Sequence, residues 1–423
     1  MSLLLYNLFC RLYAGVIGLL GFNAKARAWA VGRREQRPAF LKPWPAGERR
    51  IWVHCSSLGE FEQGRPLIER LRADYPNHKI VLTFFSPSGY EIQKNYAKAD
   101  YVFYLPMDGR RNAAMFLDAV APELAFFVKY EFWYHYLCGL HHRGIPAILV
   151  SAAFRREQVF FKPYGGFFRK LLGCFTLLFV QDEGSRALLA GIGLGSKTVI
   201  AGDTRYDRVA DIEQNAKPIP EAAAFCTGSH ILVAGSTWPD DEQALRKAWA
   251  ALPPDVKMII APHEIHEAHI DQVVRLFEAE GCVLFSAWKA GRTNADARVM
   301  VIDNIGMLSS LYAYGTIAYV GGGFAKGGIH NILEPAVFGL PVVFGPVYGK
   351  FVEAVAMANR KLVFPIANED ELRTILTDLF GDEAALHNLN ASIRSFMQHN
   401  IGATGRILQR VAPLMAEMAG NGK

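Results

Sequence analysis

The chain has 423 residues, too many for one ordinary domain and enough for two of roughly 200 residues, each able to bury its own core. Hydrophobic residues at 51% and charged residues at 20% exclude a disordered or low-complexity protein. With 45 Lys and Arg against 40 Asp and Glu, the net charge of +5 gives no argument for a nucleic-acid partner.

In chain order, the first element is the apolar stretch from Ser2 to Phe22, interrupted by Asn7 and Arg11. It is close to the ~20 residues of a bilayer-spanning helix. Lys25, Arg27, Arg33, Arg34 and Arg37 follow, so a spanning segment would leave the rest of the chain in the cytoplasm. A cleavable signal peptide carries its basic residues on the other side. Arg11 suits a helix lying in the headgroup plane, where its charge can reach water. The expectation is a membrane anchor with a basic flank over residues 1–37.

The Pro-rich passage from Pro38 to Arg50 reads as a linker. Short β-rich runs then alternate with helical stretches: IWVHC, KIVLTFF, YVFYLP, ELAFFV, PAILVS, TLLFVQ and KTVIAG. A polar connection containing KPIPE spans Asp207 to Thr227. A second series follows in HILVAGS, VKMIIAP, CVLFS, RVMVID, TIAYVGG, LPVVFG and KLVFPI, with a helical tail from Glu369. Strands alternating with helices predict two α/β, Rossmann-like domains with parallel sheets, joined near residue 210. Ligands are expected at the carboxyl ends of the strands, in a cleft between the two domains. The six cysteines lack any CxxC spacing and read as reduced thiols in a cytoplasmic setting.

Candidate chemistry falls at the ends of these runs. Glu60, in Ser56-Ser57-Leu58-Gly59-Glu60 between the first strand and a helix, is placed to accept a proton, or is an ordinary first-turn acid favoured by the helix dipole. Glu131, in Lys129-Tyr130-Glu131-Phe132-Trp133, follows ELAFFV in the same way. In the second domain, Gly321-Gly322-Gly323 and Gly327-Gly328-Ile329-His330-Asn331 offer a glycine-rich turn before a helix expected to start near His330 or Asn331. Such a turn brings N–H groups to a phosphate, and also occurs as a plain strand-to-helix connection. Asn331 and Glu334 would share a helix face, placing Glu334 to accept from a ribose diol. Ser236, Thr237 and His263 directly follow strands, with helix capping as the plainer role for the first two. Neither GxGxxG nor GxxxxGK[ST] occurs, and His263, His266 and His269 lack the HExxH register of a zinc enzyme.

Taken together, SSLGE, KYEFW, GDTRYDRV, GST, APHE, IDNIGML, YVGGGF and GGIHNILEP, in that order behind the N-terminal segment, resemble the 3-deoxy-D-manno-octulosonic acid (Kdo) transferases of lipopolysaccharide synthesis. The resemblance implies a GT-B fold, two Rossmann-like domains facing a cleft with an N-terminal membrane-associating helix. It divides the chain into the anchor, an acceptor-binding domain over residues 38–210, and a CMP-sugar-binding domain over residues 211–423 with the helical tail. The implied activity is inverting transfer of Kdo from CMP-Kdo to the lipid A precursor, at the cytoplasmic face of the inner membrane, without a cofactor or metal. Glu60 is then the general base and Glu131 a second essential acid. Arg205, Ser236, Thr237, His263, Gly306, Gly322, Gly328, Asn331 and Glu334 are implied to surround the CMP moiety. The chain departs from the pattern at Lys129, Tyr134, His135, Arg205 and Gly323; Arg205 keeps a cation where relatives carry Lys. The alternatives are a GT-B enzyme using a UDP-sugar and a membrane-anchored nucleotide- or lipid-binding protein without turnover.

Overall fold

The computed structural model describes residues 2–20, 22–294 and 296–420, so Gly21 of the apolar stretch lies outside the described residues. Every strand-like run becomes a strand. The first series gives β1 (Arg49–Cys55), β2 (His78–Phe84), β3 (Tyr101–Tyr104), β4 (Leu124–Val128), β5 (Ala147–Ala152), β6 (Leu177–Val180) and β7 (Thr198–Ile200). The second gives β8 (His230–Thr237), β9 (Val256–Pro262), β10 (Cys282–Leu284), β11 (Val299–Val301), β12 (Ile317–Val320), β13 (Val342–Phe344) and β14 (Val363–Pro365). Each series forms its own parallel sheet, ordered β3-β2-β1-β4-β5-β6-β7 and β10-β11-β9-β8-β12-β13-β14.

Parallel sheets covered on both faces require strands that are apolar on both faces, which is why runs such as LAFFV are continuous rather than alternating. All five residues of β4 are fully buried. The pleat sorts β1 onto two cores: Ile51, Val53 and Cys55 pack on one side of the sheet and Trp52 on the other. The second sheet builds an equivalent core from Leu232, Met258, Ile260 and Tyr319.

Each sheet reverses its strand order at a central pair, and in the second sheet β11 also inserts between β9 and the edge strand β10. In the first the reversal falls between β1 and β4, and in the second between β8 and β12. Loops leaving such a pair diverge to opposite faces, so a crevice opens at the carboxyl ends of those strands.

Three boundaries differ from the sequence expectation. The chain divides into one unit of Met1–Arg208 with Asn400–Lys423 and another of Val209–His399. The last helix, Ala403–Gly420, therefore belongs to the first unit and not to a second domain ending at residue 423. Its Ile407, Leu408, Val411 and Met415 join the core beneath β1, and Asp207 accepts the backbone N–H groups of Gly402 and Thr404 to fix its start. The polar connection over 207–227 is mostly helical, in Thr204–Gln214 and Pro220–Cys226. The Pro-rich passage is likewise no loose linker, because Phe40 is buried and stacks on Trp44.

The N-terminal segment folds as α1 (Leu3–Leu19) and α2 (Ala24–Gln36), bent by 117° at their junction. No single helix among the described residues is long and apolar enough to cross a membrane. α1 packs on the first unit by one face: the Tyr6 hydroxyl donates to Asp108 Oδ2 (2.5 Å), and Asn7 Oδ1 pairs with His135 Nε2 (2.7 Å). Leu4, Leu5, Leu8, Phe9, Leu12 and Val16 remain exposed. Arg33 of the basic flank is not a surface cation. Its guanidinium lies 3.9 Å over the Trp29 ring and donates to the carbonyls of Leu105 and Phe85.

Candidate active site

At the reversal of the first sheet, the loop after β1 runs into α3 (Leu58–Asp74), whose third residue is Glu60. The carboxylate folds back so that Oε2 accepts the Ser56 N–H at 2.5 Å. Ser56 lies one residue before the cap Ser57, so the bond ties the loop to the first turn of the helix, where the helix dipole also favours an acid. More than that is present. Burial, reinforced by the negative charge of Glu131, pushes the Glu60 carboxyl up to about 7, against the smaller downward pull of the Ser56 N–H and Lys129.

Glu131 follows β4, across the reversal from Glu60. It is buried, and Oε2 takes two donors, His54 Nε2 at 3.0 Å and Trp133 Nε1 at 2.6 Å. His54 is itself fully buried at the end of β1, with Nδ1 2.8 Å from Thr83 Oγ1 on β2. A chain from Thr83 through His54 therefore fixes Glu131, and Glu131 in turn sets the electrostatic environment of Glu60. Lys129, at φ 69°, carries strained backbone of the kind found where a fold holds a functional turn.

At the reversal of the second sheet, Ser236 and Thr237 end β8 and Gly321 follows β12. Ser236 has φ 53°, and the pairing with β9 slips between Gly235 and Thr237. A Cβ on Gly321 would lie 2.3 Å from the Ser236 carbonyl oxygen, so glycine is required by the closeness of the two backbones. Much of the glycine turn is internally bonded: Gly321 N–H donates to Gly235 O, Gly322 N–H to Asp241 Oδ2 (2.8 Å), and Gly328 N–H to Ala325 O. Those amides hold the turn's shape and are not available to a phosphate. Gly328, at φ 77°, tolerates the left-handed conformation the turn needs.

The helix after the turn is shorter than expected. It spans only Leu333–Val337, so Asn331 precedes it and does not share its face with Glu334. The two nonetheless meet, because Asn331 Nδ2 donates to Glu334 Oε1 at 3.1 Å while Asn331 Oδ1 accepts the Leu333 N–H. The His263 ring is sandwiched between Trp238 (4.8 Å) and His330 (4.4 Å), and burial next to His263 brings His330 down to about 4. Thr237 Oγ1 donates to Glu242 Oε1, whose other oxygen meets His269 Nε2 at 3.1 Å.

The remaining sequence candidates are placed as follows. Gly306 is in an exposed turn after β11 at φ 92°. Arg205 belongs to the first unit, apart from the other CMP-site candidates in the second, and Asp203 holds its guanidinium with Nε and Nη2 at 2.9 and 2.7 Å. His266 caps the Glu267–Leu276 helix and His269 is buried against Glu242. His54 and Asp241 went unmarked in the sequence, since one ends an apolar strand and the other is one of several acids opening a helix.

Comparison with known proteins bears on the whole chain. A family profile described as 3-deoxy-D-manno-octulosonic-acid transferase matches residues 32–208. A 3-deoxy-D-manno-octulosonic acid transferase of Haemophilus influenzae is 26% identical over 383 residues, covering 88% of each chain. That of Aquifex aeolicus is 28% identical, covering 78% of this chain and 86% of the relative. Among solved structures, UDP-GlcNAc 2-epimerase from Neisseria meningitidis bound to UDP-GlcNAc superposes with TM-score 0.61 at 14% identity, over 87% of this chain and all of that one. The calicheamicin glycosyltransferase CalG4 gives TM-score 0.54 at 12% identity, over 88% and 99%. These likenesses establish the two-sheet, GT-B type of architecture.

Proposed function

We propose that this chain, which belongs to the 3-deoxy-D-manno-octulosonic acid (Kdo) transferase family, moves Kdo from CMP-Kdo to a lipid A precursor with inversion at the anomeric carbon. The supporting observation is the pairing of two carboxylates at the reversal of the first sheet, half-buried Glu60 and buried Glu131, with Glu60 held near neutral pKa. A sugar hydroxyl is a poor nucleophile. Glu60 removes its proton as the oxygen attacks the anomeric carbon of Kdo, and CMP departs from the opposite side, which inverts that carbon. A positioned base of this kind contributes about 10² to 10⁴ in rate. Glu131, fixed by His54 and Trp133, keeps Glu60 basic enough to accept the proton near neutral pH.

In the second unit, Asn331 and Glu334 hold the ribose of CMP, with Ser236, Thr237, His263 and the Gly322 and Gly328 turn around it. The scheme has no resident metal, because the departing phosphate leaves as part of a stable nucleotide whose charge protein donors can meet. Strict dependence of turnover on Mg²⁺ would refute that part. The enzyme then works on the cytoplasmic face of the inner membrane, where a lipid acceptor resides, and the exposed leucines of α1 support attachment to a lipid surface. Replacing Leu4, Leu8 and Leu12 by Gln should release the protein from vesicles that bind the parent.

The deciding experiment is mass analysis of the product formed from CMP-Kdo and lipid A precursor, beside parallel reactions with UDP-hexoses. A mass increase of one or more Kdo units with CMP-Kdo alone is expected. Transfer from a UDP-hexose instead, or CMP binding without product, would replace the reading.

A further inference from the structure

A second concave site in the first unit takes no part in the chemistry above. It is a cavity of about 610 Å³, within the range of small-ligand pockets, lined by Asn7, Arg11 and Ala14 of α1 and by Asp108, Arg110 and Arg111. The last two open the helix Arg110–Val120, whose cap Gly109 has no side chain to satisfy the first-turn amides. Several other arginines of this unit are paired: Arg49 with Glu123, Arg65 with Glu69, Arg72 with Asp100, Arg208 with Glu62. Arg11, Arg110 and Arg111 are exposed and have no hydrogen bond or ion pair among the described residues.

The acid in the lining does not neutralise them. Asp108 is only 4% exposed, and its Oδ2 is taken by the Tyr6 hydroxyl and the His135 N–H. Oδ1 is buried without a partner among the described residues, a state that costs about 1–3 kcal/mol unless a donor arrives. The site thus offers three cations and a helix start for an anion.

Its position says what carries the anion. The His135 N–H reaches Asp108, and the Tyr134 N–H reaches the Tyr6 hydroxyl (3.2 Å), so the cavity is built on the loop that carries Glu131. On α1, Asn7, Arg11 and Ala14 form one stripe, and exposed Leu4, Leu8 and Leu12 form the stripe beside it.

We propose that this cavity is the headgroup subsite of the acceptor: Arg11, Arg110 and Arg111 hold a phosphate on its sugar, and its acyl chains run along the bare face of α1. The inference rests on the transferase reading given above and adds where the acceptor's anionic group is recognised.

The test uses the full chain and an Arg110→Gln, Arg111→Gln double variant. Both residues are exposed and unpaired, so the variant should melt with the parent. For the parent, phosphatase treatment of the acceptor should raise KM about tenfold or more, as loss of charge-assisted contacts implies. For the variant, KM for the untreated acceptor should rise by a similar factor, phosphatase treatment should add little, and KM for CMP-Kdo should not move. An unchanged acceptor KM in the variant overturns the subsite. So does a variant that loses binding only to phosphatidylglycerol vesicles, since the arginines would then serve the bilayer. A probe that needs no turnover separates this failure from failure of the transferase reading: by saturation-transfer NMR, glucose 1-phosphate should bind the parent better than inorganic phosphate or glucose, and not bind the variant. No glucose 1-phosphate signal in the parent overturns the subsite, whether or not Kdo is transferred.

Discussion

The two sheets reverse strand order in the same way, yet their crevices hold carboxylates differently. At the first, Glu60 receives backbone N–H support and is still pushed up to about 7, because its own burial and then the charge of neighbouring Glu131 outweigh that support. At the second, the buried acids are structural. Asp241 accepts from Trp238 N–H, Gly322 N–H and the Tyr319 hydroxyl at 2.9, 2.8 and 2.7 Å, and Glu242 ties Thr237 to His269. One architecture therefore holds two acids that share low-dielectric space at one reversal, and at the other a turn tied by acids that several donors meet.

The largest expected effect follows from that contrast. Glu60→Gln keeps the size and the acceptor oxygen for Ser56 but cannot take a proton. Turnover should fall at least about 10²-fold with donor affinity nearly intact, and the loss of activity below pH 7 in the parent should vanish from the residual rate. Near-parental turnover at saturating substrates would pass the role to Glu131. Glu131→Gln removes the negative charge that helps raise Glu60, so the acidic limb should move below pH 7; a limb that stays in place would mean that burial alone sets it.

Next in size is the second crevice. Glu334→Ala should weaken CMP binding by about 1–3 kcal/mol in calorimetry, if the carboxylate accepts from a ribose diol. The pH limb of turnover should be untouched. CMP affinity equal to the parent's would place the nucleotide elsewhere and dissolve the contrast between a reactive and a binding crevice.

How much of this was readable beforehand depended on range. Strands covered on both faces announce themselves as apolar runs, and all of β1 to β14 fall where those runs stand. Glu60 and Glu131 were visible because each sits just past such a run. Partners set by sheet order were not: His54 looks like any residue of IWVHC until β1 lies beside β2 and β4, which brings Thr83 and Glu131 to its ring. The final helix misled for a related reason. Its amphipathic pattern states that it packs, while only Asp207 and the core beneath β1 determine where. The glycine turn misled in a third way, since the residue type that lets an amide approach an anion also lets two backbones touch, as Gly321 does with Ser236.

A structural acid should behave unlike a reactive one when its charge is removed. Asp241→Asn can keep its oxygen on the Trp238 and Gly322 N–H groups, but its NH₂ then faces the Tyr319 hydroxyl, which must turn from donor to acceptor, and the negative charge that all three donors meet is lost. A destabilisation of about 1–3 kcal/mol in denaturant unfolding is expected. If the second unit melts as in the parent, Asp241 is not what holds the turn between Trp238 and Gly322.

Glu60→Gln should do the reverse, and its effect is the most particular. The folded protein binds the Glu60 proton up to about 7, whereas the unfolded chain releases it near the ordinary 4.5. Between those values the folded state carries the extra proton, so stability falls as pH rises, and above 7 the whole penalty of an ionised buried carboxyl is in place. Gln does not titrate. The variant should therefore gain most in Tm over the parent at pH 8, less at pH 6, and least near pH 4.5, where the parent carboxyl is protonated in the folded state and half protonated in the unfolded one. Melting curves at those three pH values decide the matter. A Tm difference that stays constant, or grows toward acid, would mean that Glu60 is as well satisfied as Asp241, and the two crevices would then differ in their glycines and not in the state of their acids.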